Sequence, residues 1–188
     1  MDALLPPFVA AFLAEWGDRT QLLAMLLAAR FGRAVPVLAA IALAALLNSL
    51  LSAFAGHYLV VLINFRAITL MTALALLFAG VGALMPQKPP KLEGGGRGGA
   101  FLASLFAFAV LEFGDKTQFL TATLAARADS IWLPAIGAAA GIILAATPAV
   151  LLAEHLRAAV PLRAIRLMVG LIFLLVGAIV ALGALRLV

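Results

Sequence analysis

Two apolar runs of this chain are interrupted in the same way. From about residue 3 to residue 29 the sequence is dominated by Leu, Ala, Phe and Val. Its middle is polar: Glu15-Trp16-Gly17-Asp18-Arg19-Thr20-Gln21. The run at about 100–126 carries Glu112-Phe113-Gly114-Asp115-Lys116-Thr117-Gln118 at the same depth. Four more apolar runs, at about 35–63, 67–85, 131–153 and 164–185, have no such interruption. Each is close to the roughly 20 apolar residues that cross a bilayer as a helix. The pattern predicts an all-α integral membrane protein with six transmembrane helices.

The spacing of the two polar stretches is 97 residues, and ten of the sixteen positions from Glu15 to Arg30 recur from Glu112 to Arg127. The recurrence extends further. Arg66-Ala67-Ile68-Thr69-Leu70-Met71 returns as Arg163-Ala164-Ile165-Arg166-Leu167-Met168, and Gly80 falls on Gly177. The middle spans diverge, with Asn48 opposite Ala145. Residues 1–85 and 100–188 therefore read as two repeats of three helices. Three crossings is an odd number, so the second repeat enters from the opposite side and the two are inverted. Residues 86–99, rich in Pro and Gly, read as a flexible linker between them. Within span two, Asn48, Ser49, Ser52 and Gly56 suit a helix contact inside a bundle. In span five, Gly137 and Gly141 lie one turn apart, and Thr147-Pro148 predicts a kink.

Composition supports the membrane reading. Of 188 residues, 66% are hydrophobic, more than a soluble chain of this length can bury. The absence of cysteine excludes disulfides and thiolate metal sites. The net charge of +5 does not point to nucleic acid, because the basic residues lie at helix ends. The one–two, three–four and five–six connections hold Arg30, Arg33, Lys88, Lys91, Arg97, Arg157, Arg163 and Arg166. The other side holds Arg66, Arg127 and Arg186. Eight against three places the first group, and the linker, in the cytoplasm and both termini outside it. The first run follows Asp2 with no basic region before it, and is read as a mature span.

An ionised residue at the bilayer centre costs about 2.5–3.5 kcal/mol, so the motif charges must meet one another or a wet cavity. Inverted symmetry brings the motifs together where spans one and four cross. On an unbroken helix Glu15, Asp18 and Gln21 share a face, as do Glu112, Asp115 and Gln118. Arg19 is then placed to pair with Glu15, and Lys116 with Glu112. Gly17 and Gly114 admit either a close helix contact or a local break that frees carbonyl oxygens. Four carboxylates and two cations leave net −2, which suits one divalent cation bound by hard oxygen ligands: Ca²⁺, Mg²⁺ or Mn²⁺. Two internal salt bridges stabilising a polar seam would leave that charge unexplained. The same carboxylates can take protons when the metal leaves.

The doubled Glu-x-Gly-Asp-Arg/Lys-Thr motif, in a small six-span chain with a linker between its halves, resembles a family of cation/proton antiporters. That family has Golgi, chloroplast and bacterial members, belongs to the LysE superfamily and was long labelled uncharacterised. The resemblance covers the whole chain. It implies transport of Mn²⁺, and in some members Ca²⁺, against protons, the bacterial members resembling manganese exporters. It places the metal on Glu15, Asp18, Glu112 and Asp115, assisted by Gln21, Gln118, Thr20 and Thr117. Arg19, Lys116, Gly17, Gly114 and Asn48 are supporting residues, with Asn48 read as packing or one further ligand. His57 and His155 read as interfacial anchors, Trp16 as packing at a gate, Trp132 as an interface anchor, and Met25, Met71 and Met168 as core packing. The linker is short and not acidic, so no regulatory loop is inferred.

The expectation is secondary active export of a divalent cation from a bacterial inner membrane, with no cofactor beyond that cation and protons. The partners expected are the lipid bilayer and the cation cargo; a homo-oligomer is admissible. Rival readings are an exporter of amino acids or other small cations, an intramembrane carboxylate enzyme, and a non-transporting scaffold. Enzyme chemistry is disfavoured because no Ser, Cys or His lies in the motif.

Overall fold

The computed structural model describes residues 3–87, 90 and 99–186. Most of the expected linker at 86–99 lies outside the described residues, as does Asp2. The described residues form eight α-helices and no strand: α1 (Leu5–Glu15), α2 (Arg19–Phe31), α3 (Ala34–Leu62), α4 (Phe65–Leu84), α5 (Gly99–Glu112), α6 (Lys116–Ala125), α7 (Trp132–Ala159) and α8 (Leu162–Leu185). Helices α3, α4 and α8, and α7 as far as Ala153, are long and apolar enough to cross a bilayer. Helices α1 and α5 are apolar but shorter.

The two motif-bearing runs are each broken in the middle. Helix α1 stops at Glu15 and α2 begins at Arg19; α5 stops at Glu112 and α6 begins at Lys116. The cause is local. Gly17 has φ +72° and Gly114 φ +76°, left-handed conformations that cost an L side chain about 1–2 kcal/mol and cost glycine nothing. The shared face expected of an unbroken helix is corrected accordingly: Glu15 and Asp18 belong to different helices.

The surface is apolar, unlike that of a soluble protein. Large apolar side chains face outward, with Val61 at 82% and Val110 at 73% exposure. Alanine is the commonest buried residue among those described, and polar and charged side chains such as Glu15, Asp18, Glu112 and Lys116 are buried with it. Small residues let helices approach closely where lipid supplies no hydrophobic drive between them. A Cβ on Gly137 would lie 2.3 Å from Leu4 O, and one on Gly141 2.4 Å from Phe8 O, so these glycines seat α1 against α7. Helices α4 and α8 pair along their length, with Gly80 against Leu174 and the Gly170 carbonyl.

Three further expectations are corrected. Helix α7 continues through Pro148, and its departure from helical geometry falls at Ala153 (φ 14°, ψ −85°). The Thr147 hydroxyl donates to Ile143 O at 2.7 Å, a back-bond within its own helix one residue before the proline. Met168 is 63% exposed on the outer face of α8, so only Met25 of the three methionines is fully buried. Arg166, counted above among the loop charges, is buried; without it the asymmetry keeps its sign. His57, His155 and Trp132 are exposed at helix ends.

Candidate metal centre

The two breaks are built alike. Gly17 N donates to Gln21 Oε1 at 2.8 Å, and Gly114 N donates to Gln118 Oε1 at 2.8 Å. Each glutamine thus satisfies a backbone donor that the break leaves exposed. Its amide nitrogen then donates across to a long helix: Gln21 Nε2 to Ala145 O at 3.0 Å, and Gln118 Nε2 to Asn48 O at 3.5 Å. Ala145 and Asn48 are themselves 97 residues apart. The structure therefore spends Gln21 and Gln118 on holding the breaks open against α7 and α3.

The breaks turn the N-termini of α2 and α6 inward, with Asp18 and Asp115 at the N-cap positions. Neither side chain caps its own helix. Both carboxylates keep their oxygens for other partners, at the positive end of a helix dipole that favours negative charge.

The copies meet through cross-motif bonds. Thr117 Oγ1 of the second motif donates to Glu15 Oε1 of the first at 2.8 Å, while Thr20 donates to Glu15 Oε2. Lys116 forms a buried salt bridge with Asp18 and reaches Asp115 Oδ2 at 3.3 Å. Glu15, Asp18 and Asp115 each present an oxygen within 4.8 Å of the others. Three carboxylates and one ammonium leave net −2 at this point. Among the described residues Glu15, Asp18 and Lys116 are buried and Asp115 is half-buried. Asp18, Asp115 and Lys116 line a cavity of about 270 Å³ that runs to Met85 and Gln87, at the end of α4.

Two expected ion pairs do not form. Arg19 donates through Nε to Gln87 Oε1 at 2.8 Å, pointing away from Glu15. Lys116 pairs across the motifs, away from Glu112. Both corrections have one cause: the break removes the helical turn that would have aligned residues four apart.

Glu112 stands aside from the three-carboxylate group. It accepts from Asn48 Nδ2 at 3.1 Å through Oε2, while Oε1 is buried without a hydrogen-bond partner. Around it are Ser49, Ser52, Thr117 and Thr121. Asn48 also donates to Ala109 O at 3.3 Å, tying α3 to α5. Trp16 packs edge-on against Phe12, ring centroids 5.9 Å apart. Gln87, the partner of Arg19, was not singled out from the sequence; a glutamine in a Pro-rich stretch carries no signal.

Oxygen donors, buried negative charge and a half-open cavity form a setting for a hard cation. Residues 3–91 and 100–187 both match the family described as "Divalent cation/proton antiporter GDT1". A protein of Vibrio cholerae serotype O1 named "Putative manganese exporter" is 35% identical over 176 residues, covering 93% of this chain and 88% of its own. No solved structure matches. The two family matches each contain one copy of the motif and the relative covers nearly the whole chain, so this multi-pass, non-enzymatic transporter belongs to the divalent cation/proton antiporter GDT1 family.

Proposed function

We propose that this protein exports Mn²⁺ from the cytoplasm of a bacterial cell in exchange for protons, using one site shared by the two motifs. The observation that carries the reading is the convergence of Glu15, Asp18 and Asp115, drawn from both copies, around a single ammonium. A divalent cation with three carboxylate ligands must displace Lys116 from Asp18. Thr20 and Thr117 then keep Glu15 oriented. When the cation leaves, the carboxylates take protons or Lys116 returns, so the empty site never carries its full negative charge across the membrane. Mn²⁺ is favoured over Ca²⁺ as cargo by the name of the Vibrio cholerae relative.

The architecture proposed is six membrane crossings in two inverted halves, α1–α4 and α5–α8, with spans one and four each split at the motif. Support comes from the two family matches and from the paired glutamine bonds 97 residues apart. Alternating access is the transport mode proposed, and an asymmetry between the halves supports it. Helix α4 packs on α6, whereas α8 and α2, their counterparts 97 residues away, face each other across a cavity. That cavity and the one below Asp18 both lie toward the Arg30–Arg33 side, assigned to the cytoplasm by the charge count. The conformation is read as cytoplasm-facing, in the inner membrane, with both termini outside.

The test is Mn²⁺ flux in proteoliposomes under an imposed pH gradient. Glu15→Gln and Asp115→Asn are expected to abolish flux while helicity and elution volume stay unchanged. Normal flux in either variant would refute the shared site.

A further inference from the structure

The second repeat carries a charge that the first lacks. Arg166 in α8 falls 97 residues after Thr69, whose hydroxyl merely donates to Phe65 O at 2.9 Å. Arg166 is 7% exposed, and its buried Nε has no hydrogen-bond partner. No ion pair is formed by this side chain among the described residues. It lines a cavity of about 760 Å³ between α2 and α8. The described lining of that cavity includes a second arginine, Arg163, and no carboxylate. The other walls are largely aliphatic, including Leu22, Leu26 and Leu167.

A buried guanidinium N–H without a partner is costly, and in membrane proteins such groups are normally paired. The symmetric arrangement shows how this fold satisfies an arginine when it can: Arg66, the counterpart of Arg163, donates through Nε to Ala184 O at 2.7 Å. Arg166 has no carbonyl of this kind. Its cargo role is also excluded by sign, since a cationic cavity wall repels Mn²⁺. What matches two arginines beside aliphatic walls is an anion with an apolar body. Arginine presents paired N–H donors to a phosphate in a fork–fork geometry. Basic pockets between membrane helices on the cytoplasmic side accept anionic lipid headgroups.

We propose that the α2–α8 cavity is a binding site for a phosphate-bearing anion, with Arg166 as its principal contact and Arg163 as a second. An anion held there bridges α8 to the opposite wall of the cavity, beside the first motif. Gly17 lines the same cavity, and a Cβ on it would lie 3.0 Å from Arg166 Cβ. The anion fills the α2–α8 opening, and the cation's path is then the separate cavity lined by Asp18 and Asp115.

The experiment is native mass spectrometry of the delipidated full chain with three probes: phosphatidylglycerol, phosphatidylcholine and inorganic phosphate. One equivalent of phosphatidylglycerol is expected to stay bound, in preference to phosphatidylcholine. Arg166→Gln is expected to weaken it at least about tenfold, the loss of one charged hydrogen bond of about 1.5 kcal/mol. Arg163→Gln should weaken it less, and Arg66→Gln, on the other side of the fold, not at all. Arg166-dependent binding of inorganic phosphate without lipid binding supports the site with a soluble ligand as its source. Equal binding of every probe by wild type and Arg166→Gln overturns the proposal, as expected if the guanidinium is simply hydrated. Should the glutamine variant fail to fold, a wild type that holds phosphatidylglycerol no better than phosphatidylcholine and does not bind inorganic phosphate overturns the proposal instead.

Discussion

Lys116 of the second motif is bonded to Asp18 of the first, so the second half of the chain supplies the counter-charge for the first, whereas Arg19 turns to Gln87. The ammonium occupies the carboxylate face that a cation would have to enter. Lys116→Met should therefore separate stability from affinity. Removing one partner of a buried pair costs about 3–5 kcal/mol, so the metal-free variant is expected to melt at a lower temperature. Added Mn²⁺ should restore stability, because a ligand that binds only the folded state shifts Tm upward. Its affinity should rise at least about tenfold once the competing charge is gone. Thermal melts with and without Mn²⁺ read both effects. A variant as stable as wild type, with unchanged affinity, would contradict a competing role for Lys116.

Asp115 and Glu112 are predicted to differ, although the motif treats them alike. Asp115 belongs to the three-carboxylate group; Glu112 is bonded to Asn48 and faces hydroxyls. Asp115→Asn should weaken Mn²⁺ binding at least about tenfold, since removing a charged ligand lowers affinity. Glu112→Gln keeps an oxygen to accept from Asn48 and should change the equilibrium affinity by less than about threefold. Titration calorimetry on the two purified variants decides. Equal losses would return Glu112 to the metal site.

How much of this was legible in the sequence depends on which residues are asked about. The apolar runs placed the helices to within a few residues, because bilayer thickness fixes their length and no competing pattern exists. The 97-residue offset paired Gln21 with Gln118 before any coordinates did. The break at Gly17 was only one of two readings, because a glycine flanked by Trp and Asp fits a helix contact as well as a turn. A continuous helix pairs Arg19 with Glu15. Breaking the helix moved Arg19 to Gln87 and gave Asp18 to Lys116, a partner 98 residues away. Contacts between the two motifs, such as Thr117 to Glu15, depend on how two breaks are rotated against each other. No periodicity within one helix encodes that rotation.

Gly17 and Gly114 share a backbone conformation and differ in surroundings. A Cβ on Gly17 would lie 2.6 Å from Leu162 O, a backbone atom that cannot rotate aside; a Cβ on Gly114 would meet nothing within 4 Å. Gly114→Ala should cost only the conformational term, about 1–2 kcal/mol. Gly17→Ala adds overpacking against α8 and should cost about 2–5 kcal/mol in all. Melting temperatures of the two variants should therefore fall in the order wild type, Gly114→Ala, Gly17→Ala. The reverse order would show that the α8 contact yields freely.

Gly56 closes the side of the molecule opposite the cavity. A Cβ there would lie 2.0 Å from Ala122 O, so α3 and α6 touch backbone to backbone. The position 97 residues on is Ala153, where α7 departs from helical geometry and lines the open cavity. Closure on one side thus coincides with glycine, and opening on the other with alanine. Gly56→Ala should force α3 from α6 and bias the protein toward opening outward. The chain has no cysteine, so a single Ala125→Cys reports on that side without interference. Ala125 is 1% exposed and should label slowly with a membrane-impermeant maleimide. In the Gly56→Ala background the rate should rise about tenfold or more, which corresponds to a population shift of about 1.4 kcal/mol. An unchanged rate would mean that the α3–α6 contact is not the barrier to access from that face.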